Sequence, residues 1–216
     1  MSEPLGILAQ AVERISPTLI EFELGSDVEV ILMKLLYKLR PNYNDFLIIS
    51  FYDGYAAFRK YVENIFEEEY VRRVFESAKL LSINSFLEED FNPLEDLKTS
   101  QPDIIAGRAL RITEALPQRT LVLVLGLDLY GVRDGEKNLI QLFPRLMTVL
   151  NRREGFRTIV TFNTGIFSLR WSTFSGASSS MLSRSASKLK VRRSGVTSSS
   201  SGRPSSSTTL KSGTTR

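Results

Sequence analysis

The sequence predicts an α/β fold, with an open, mostly parallel sheet and helices on both of its faces. Two observations support this fold class. Apolar runs of strand length alternate along the chain with longer stretches in which apolar residues recur at helical spacing. In addition, the run 119–131 (RTLVLVLGLDLYG) is apolar at nearly every position, as a central parallel strand between two helical layers must be.

The elements are predicted in chain order from these patterns. A short amphipathic helix over Ile7–Ile15 precedes a strand at 18–25 (TLIEFELG), whose apolar and acidic residues alternate. A helical stripe then runs from Val28 to Leu39 and stops at Pro41. Further elements are expected as a buried strand at 45–54, helices at about 55–66 and 67–78, a strand at 79–86, a helix at 103–116, the strand at 119–131, a helix at 135–153 kinked by Pro144, and a last strand at 157–167.

Composition excludes several kinds of chemistry. The chain of 216 residues contains no cysteine and no histidine, which rules out disulfides, thiolate or imidazole metal sites and Ser-His-Asp triads. The longest apolar run, Leu121–Leu127, is far shorter than the ~20 residues that cross a bilayer, and the first residues lack a basic region typical of signal peptides. We therefore expect a soluble, cytoplasmic protein that does not contact a membrane.

Charge divides the chain into two parts, a domain at 1–167 and a tail at 168–216. Of the 28 Lys and Arg, nine follow Phe167, whereas all 24 Asp and Glu precede Ser168, so residues 1–167 carry 19 basic and 24 acidic residues and a net charge of −5. The tail is rich in Ser, Thr, Gly and Arg, with SSSSGRPSSSTT near its centre. Such a composition predicts disorder, because it offers too little apolar surface to offset the entropy of ordering.

Two hypotheses apply to this low-complexity tail. It can bind nucleic acid through its basic side chains, with an affinity that falls steeply with salt. Alternatively, residues 168–216 are a frameshifted reading of the end of the domain. Serine codons of the TCG type, read one base earlier, encode valine or leucine, so a frame change turns the serine-rich tail into a patterned, apolar sequence.

Candidate site residues lie where the predicted strands end, because ligands of open parallel sheets bind at the carboxyl ends of the strands. Gly25 and Ser26, at the start of a helix, are candidates for an anion or nucleotide site; the alternative is an ordinary turn with Ser26 or Asp27 as helix cap. Asp53 and Asp128 are a candidate carboxylate pair for Mg²⁺ or, if the chain is an enzyme, for catalysis. The alternative is that both aspartates cap strand ends in loops.

The order and character of the strands over 18–167 resemble the KaiC-like branch of the RecA-type ATPases. The resemblance rests on LIISFYDG (47–54) as second strand, RTLVLVLGLDLYG as a late central strand and RTIVTFN (157–163) after it. It implies a three-layer domain that binds ATP and Mg²⁺ at a phosphate loop after the first strand. Asn163 falls near the position at which members of that branch sense the nucleotide.

The motifs of this family are mostly absent or displaced here. Its phosphate loop needs several glycines, a lysine and a hydroxyl residue, but ELGSDVEV (23–30) has one glycine, one serine and no lysine. The pair of acidic residues after the second strand is reduced to Asp53, and Gly126 stands where a metal-supporting aspartate ends the central strand. Asp128 lies two residues further on, and on a continuing strand it would share that face.

The chain is therefore similar to archaeal members of this branch that lack an intact phosphate loop. We expect a domain without catalytic residues, cofactor or metal, acting as a scaffold or regulatory partner that associates with another protein or with itself. An atypical ATPase using Gly25, Ser26, Asp53 and Asp128 is the alternative, and nucleic-acid binding through the basic tail is a second one.

Overall fold

The computed structural model describes residues 3–23, 25–86, 92–166 and 188–191. Its centre is a parallel sheet of strands in the order β4-β3-β2-β5-β6-β1-β7. The strands are β1 (Thr18–Phe22), β2 (Asp45–Phe51), β3 (Lys79–Ile83), β4 (Glu95–Leu97), β5 (Thr120–Leu125), β6 (Arg157–Asn163) and β7 (Lys188–Val191). All of their pairings are parallel, which confirms the predicted fold class.

Helices cover both faces of the sheet. On one face pack α1 (Glu3–Arg14), α2 (Val28–Leu39), α3 (Gly54–Glu63) and α4 (Glu68–Phe75); on the other pack α5 (Pro102–Ala115), α6 (Leu127–Arg133) and α7 (Glu136–Leu150). Along β5, Leu121 and Leu123 pack with the first helical layer, whereas Val122 and Val124 pack with the second. The three-layer arrangement follows directly, since consecutive side chains of a strand point to opposite faces.

The sheet has a topological switch point between β2 and β5. From β2 the chain continues to β3 on one side, and from β5 it continues to β6 on the other, while β2 and β5 pair with Ile48 opposite Leu123. The turns that leave these two strands therefore separate and open a crevice at the carboxyl edge. The candidate site residues that were predicted from the sequence lie along this edge.

Several boundaries differ from the predicted ones. The strand predicted to run to residue 131 ends at Leu125, and α6 begins at Leu127. Pro144 lies inside the single helix α7, and its predicted kink stays a prediction. The edge strand β4 was not predicted because its three residues, Glu-Asp-Leu, are mostly polar.

The predicted tail is described only in part. Residues 188–191 form β7, which lies parallel to β1 with Leu19 opposite Lys188. The predicted disorder and the frameshift hypothesis otherwise concern residues outside the described ranges. Within those ranges, no helix combines the length and the apolar character needed to span a membrane.

Candidate functional site

A cavity of about 430 Å³ opens at the carboxyl edge, on the face covered by α2 and α3. Its walls come from the end of β1, the first turns of α2, one side of α3, the turn from β5 into α6, and the end of β6. Phe22, Leu32 and Phe58 give it a largely apolar surface. The cavity lies at the switch point, where an open α/β sheet is expected to hold a ligand.

Two glycines bring the floor of the cavity together. Gly126 has a left-handed backbone (φ +73°), and a Cβ atom there would overlap the carbonyl oxygen of Phe51. A Cβ on Gly54 would come within 3.1 Å of the Gly126 backbone. Because neither position leaves room for a side chain, the turn after β2 and the turn after β5 touch through their main chains.

Asp128 is the buried charge of this cavity. It lies in the first turn of α6 rather than on β5, so it does not take the strand-end position that a continuing strand would have given it. The residue is 8% exposed, and burial raises the pKa of its carboxyl group, against hydrogen bonds from the backbone N–H groups of Asp128 and Leu129. No side-chain cation pairs with it within the described residues.

Asn163 and Thr161 line the cavity from β6, and both are buried. The Thr161 hydroxyl donates to the carbonyl oxygen of Val124 (3.3 Å), and the Asn163 Oδ1 accepts from the backbone N–H of Gly165 (3.0 Å). The structure thus brings the sequence-predicted Asn163 and Asp128 to the same cavity.

Gly25 and Ser26 do not line this cavity. Gly25 is exposed with φ 78°, and the backbone N–H of Ser26 donates to the carbonyl oxygen of Glu23 (3.1 Å), so that amide is already used. Asp27 takes the position of helix cap without a side-chain cap bond, and the Ser26 hydroxyl is buried with no described partner. The segment has the form of a strand-to-helix turn, and nucleotide binding by these two residues stays a prediction.

Asp53 organises the neighbouring loop. Its Oδ1 accepts hydrogen bonds from the Ser85 hydroxyl (3.0 Å) and from the backbone N–H of Phe86 (2.9 Å). These bonds tie the start of α3 to the segment after β3, away from the cavity lining. No cluster of three carboxylates suited to a metal ion occurs in the part of the chain that the structure describes.

A second polar cluster at the same edge was not predicted from the sequence. The hydroxyl groups of Tyr52 and Ser100 both donate to the carboxylate of Asp134, and the Tyr130 hydroxyl donates to the carbonyl oxygen of Ser100 (2.8 Å). Burial and the bond to Asp134 raise the pKa of Tyr52 to about 12. The Arg133 guanidinium lies 4.8 Å from the centre of the Tyr52 ring.

The sequence carries no signal for this cluster. The segment 132–137 (VRDGEK) is of mixed charge, and nothing in its pattern ties Arg133 or Asp134 to β2. The backbone of Tyr52 is also left-handed (φ 53°), a conformation that is costly for a bulky residue and that sequence patterns do not reveal.

Comparisons with known proteins show the fold alone. No family model and no curated protein matches the chain. Among solved structures, the chain is similar to a protein from Pyrococcus horikoshii OT3, studied as Project ID PH0250, with a TM-score of 0.61 and 14% sequence identity over 88% of this chain and 89% of that one.

Proposed function

We propose that the chain is a non-catalytic, RecA/KaiC-like domain that serves as a scaffold or regulatory partner of another protein or of a second copy of itself. The parallel sheet with helices on both faces supports the first half of this proposal. The second half, the absence of ATPase activity, rests on the negative charge of the cavity at the carboxyl edge.

Among the described residues that line this cavity, the charged ones are Glu29 and Asp128, and none is a lysine or an arginine. A nucleoside triphosphate brings several negative charges and needs cations and free backbone N–H groups around its phosphates. Two unit charges ~4 Å apart repel by about 4 kcal/mol at an effective dielectric constant near 20. The cavity therefore repels a polyphosphate where a functioning ATPase would attract it.

The experiment is a titration of the full chain with Mg-ATP, read as thermal stability. A ligand at a hundredfold excess over its Kd adds about 2.7 kcal/mol to the free energy of unfolding. We expect no shift at millimolar Mg-ATP. Stabilisation by Mg-ATP that Ser26→Ala abolishes would instead favour the atypical ATPase, since the Ser26 hydroxyl is buried without a described partner.

Self-association is tested separately. Sedimentation of the full chain over a hundredfold range of concentration should show a mass that rises with concentration if copies of the domain pair. A constant monomer mass would leave a partner of different sequence as the remaining form of the proposal.

A further inference from the structure

The cavity at the carboxyl edge has the size and the surface of a small-molecule site. Its volume of about 430 Å³ falls within the ~300–1,000 Å³ usual for ligand pockets. Phe22 from β1, Leu32 from α2 and Phe58 from α3 make the wall apolar, and Tyr61, which is 41% exposed, also lines it. A ligand of this cavity must present an apolar body.

The charge inside the cavity is negative and unbalanced. Asp128 and Glu29 line it, no lysine or arginine occurs among the lining residues that the structure describes, and Asp128 is buried. The Asp128 carboxylate is held by backbone N–H groups of its own helix. No described side chain donates a hydrogen bond to it or forms an ion pair with it.

A buried carboxylate without a cation is costly, and the group responds either by taking up a proton or by pairing with a positive charge. An ammonium group supplies that charge and donates up to three hydrogen bonds. The aromatic rings of Phe22, Phe58 and Tyr61 give the cavity faces that attract a cation. The aromatic wall of the cavity and its negative charge therefore select the same chemistry, a cation with an apolar body.

We infer that this cavity binds a small amine with an aromatic or aliphatic body, whose ammonium group pairs with the carboxylate of Asp128. The inference rests on the proposed function, because both require that the negative charge of the cavity prevents the binding of polyphosphates. The amine would then act as a regulatory ligand of the domain. By filling the cavity, it would stabilise the contact between the turn after β2 and the turn after β5.

Three probes of similar shape separate the contributions of charge and of the apolar body: 2-phenylethylamine, 2-phenylethanol and 3-phenylpropanoate. Each is titrated into the full chain near pH 7 and followed by calorimetry and by chemical-shift changes. We expect the amine to bind at least about tenfold more tightly than the alcohol, as a hydrogen bond to a charged group predicts. The carboxylate should bind more weakly than either.

Asp128→Asn keeps the shape of the side chain and removes its charge. It should abolish the advantage of the amine over the alcohol while the alcohol binds as before. The matched control is Asp103→Asn, since Asp103 is an exposed carboxylate on α5 that pairs with Arg145. That control should leave all three affinities unchanged.

The inference is overturned if the amine binds no more tightly than the alcohol, or if Asp128→Asn preserves its advantage. Equal binding of alcohol and amine would mean that the cavity takes a neutral ligand beside a protonated Asp128. The comparison of the three probes on the unaltered chain tests the inference even if the Asp128→Asn variant does not fold. Mg-ATP is titrated in parallel: its binding would overturn the proposed function as well, whereas failure of both amine and ATP overturns only this inference.

Discussion

Gly126 lies where the chain leaves β5 and turns into α6. Its left-handed backbone and the absence of a Cβ atom allow the carbonyl oxygen of Phe51 to approach it closely. Without that approach the turns after β2 and β5 would separate, and Asp128 would leave its buried position. One residue without a side chain thus sets the floor of the cavity.

Gly126→Ala should lower the free energy of unfolding by about 2 kcal/mol or more, because the added methyl group overlaps backbone and the φ angle is strained for alanine. The matched control is Gly107→Ala in the middle of α5, where a Cβ would meet nothing within 4 Å. There we expect a gain of up to ~1 kcal/mol. Chemical denaturation of both variants checks the pair, and equal effects would contradict the role of Gly126.

Asp128→Asn should make the ligand-free chain more stable at neutral pH by ~1 kcal/mol, because it removes an uncompensated buried charge. Burial raises the pKa of Asp128 above its ordinary value of 3.8. The Asp128 carboxyl group therefore binds its proton more tightly in the folded state than in the unfolded state. The cost of burying the charged carboxylate is absent at lower pH and develops as the pH rises above 3.8. Denaturation between pH 3.5 and 7 should show the two chains converging at the acid end; a constant difference would contradict this account.

At the scale of elements, α6 is tied to the end of β2 by the Tyr52–Asp134 bond and by Arg133 above the Tyr52 ring. Tyr52 is strained by its left-handed backbone, and the bond to Asp134 together with burial compensates for that strain. The second helical layer is thus fixed to the sheet by a polar contact in addition to apolar packing.

Tyr52→Phe should cost about 1 kcal/mol, the value of a typical hydrogen bond. Because the pKa of Tyr52 is raised to about 12, above the ~10 of a free tyrosine, its contribution is complete below pH 10 and is lost as the pH rises towards 12. The variant should therefore lose less stability over that interval than the unaltered chain. Tyr61→Phe, at an exposed residue of α3, serves as control and should change little.

The strongly patterned elements were predictable, and the reasons for the failures are local. The strand β2 follows from an unbroken apolar run, and the helices α2 and α5 follow from apolar residues at helical spacing. The end of β5 did not, because Gly126 interrupts an apolar run that continues into α6, and periodicity does not show a left-handed turn. The placement of Asp128 in a helix instead of on a strand follows from this one boundary.

The site was predictable in part for a similar reason. Parallel strands bring their carboxyl ends to one edge, so the fold class places Asp128 and Asn163 at that edge. It places Gly25, Ser26 and Asp53 there equally, and these do not line the cavity. The Tyr52–Asp134 bond joins residues 82 positions apart in the chain, and no pattern within either segment encodes it. The apolar wall is built likewise from residues of several elements that only the fold brings together.

For the whole molecule, the net charge of −5 on residues 1–167 opposes contact with nucleic acid, and the nine basic residues after Phe167 favour it. If the second alternative holds, binding of DNA or RNA by the full chain should fall steeply with salt. Exchanging the five basic residues beyond β7 for glutamine should weaken binding and flatten the salt dependence; these residues are Arg192, Arg193, Arg203, Lys211 and Arg216.

Filter binding between 50 and 300 mM salt checks this prediction. Exchanging five basic residues of the domain itself gives the control, since the domain is predicted to contribute little attraction. Identical salt curves for the full chain and the tail variant would exclude these five residues as the binding element.

The pairing of β1 has a consequence for the order of folding. Its sheet neighbours are β6 and β7, which begin at residues 157 and 188. The first strand to leave the ribosome therefore cannot pair until these two strands have been synthesised. At about 5–20 residues per second the delay is on the order of ten seconds, while β2, β3 and β5 can already assemble. A nascent chain of this protein therefore holds Leu19, Ile20 and Phe22 of β1 without their strand partners until β6 has been synthesised, and an unpaired strand edge of this kind favours aggregation.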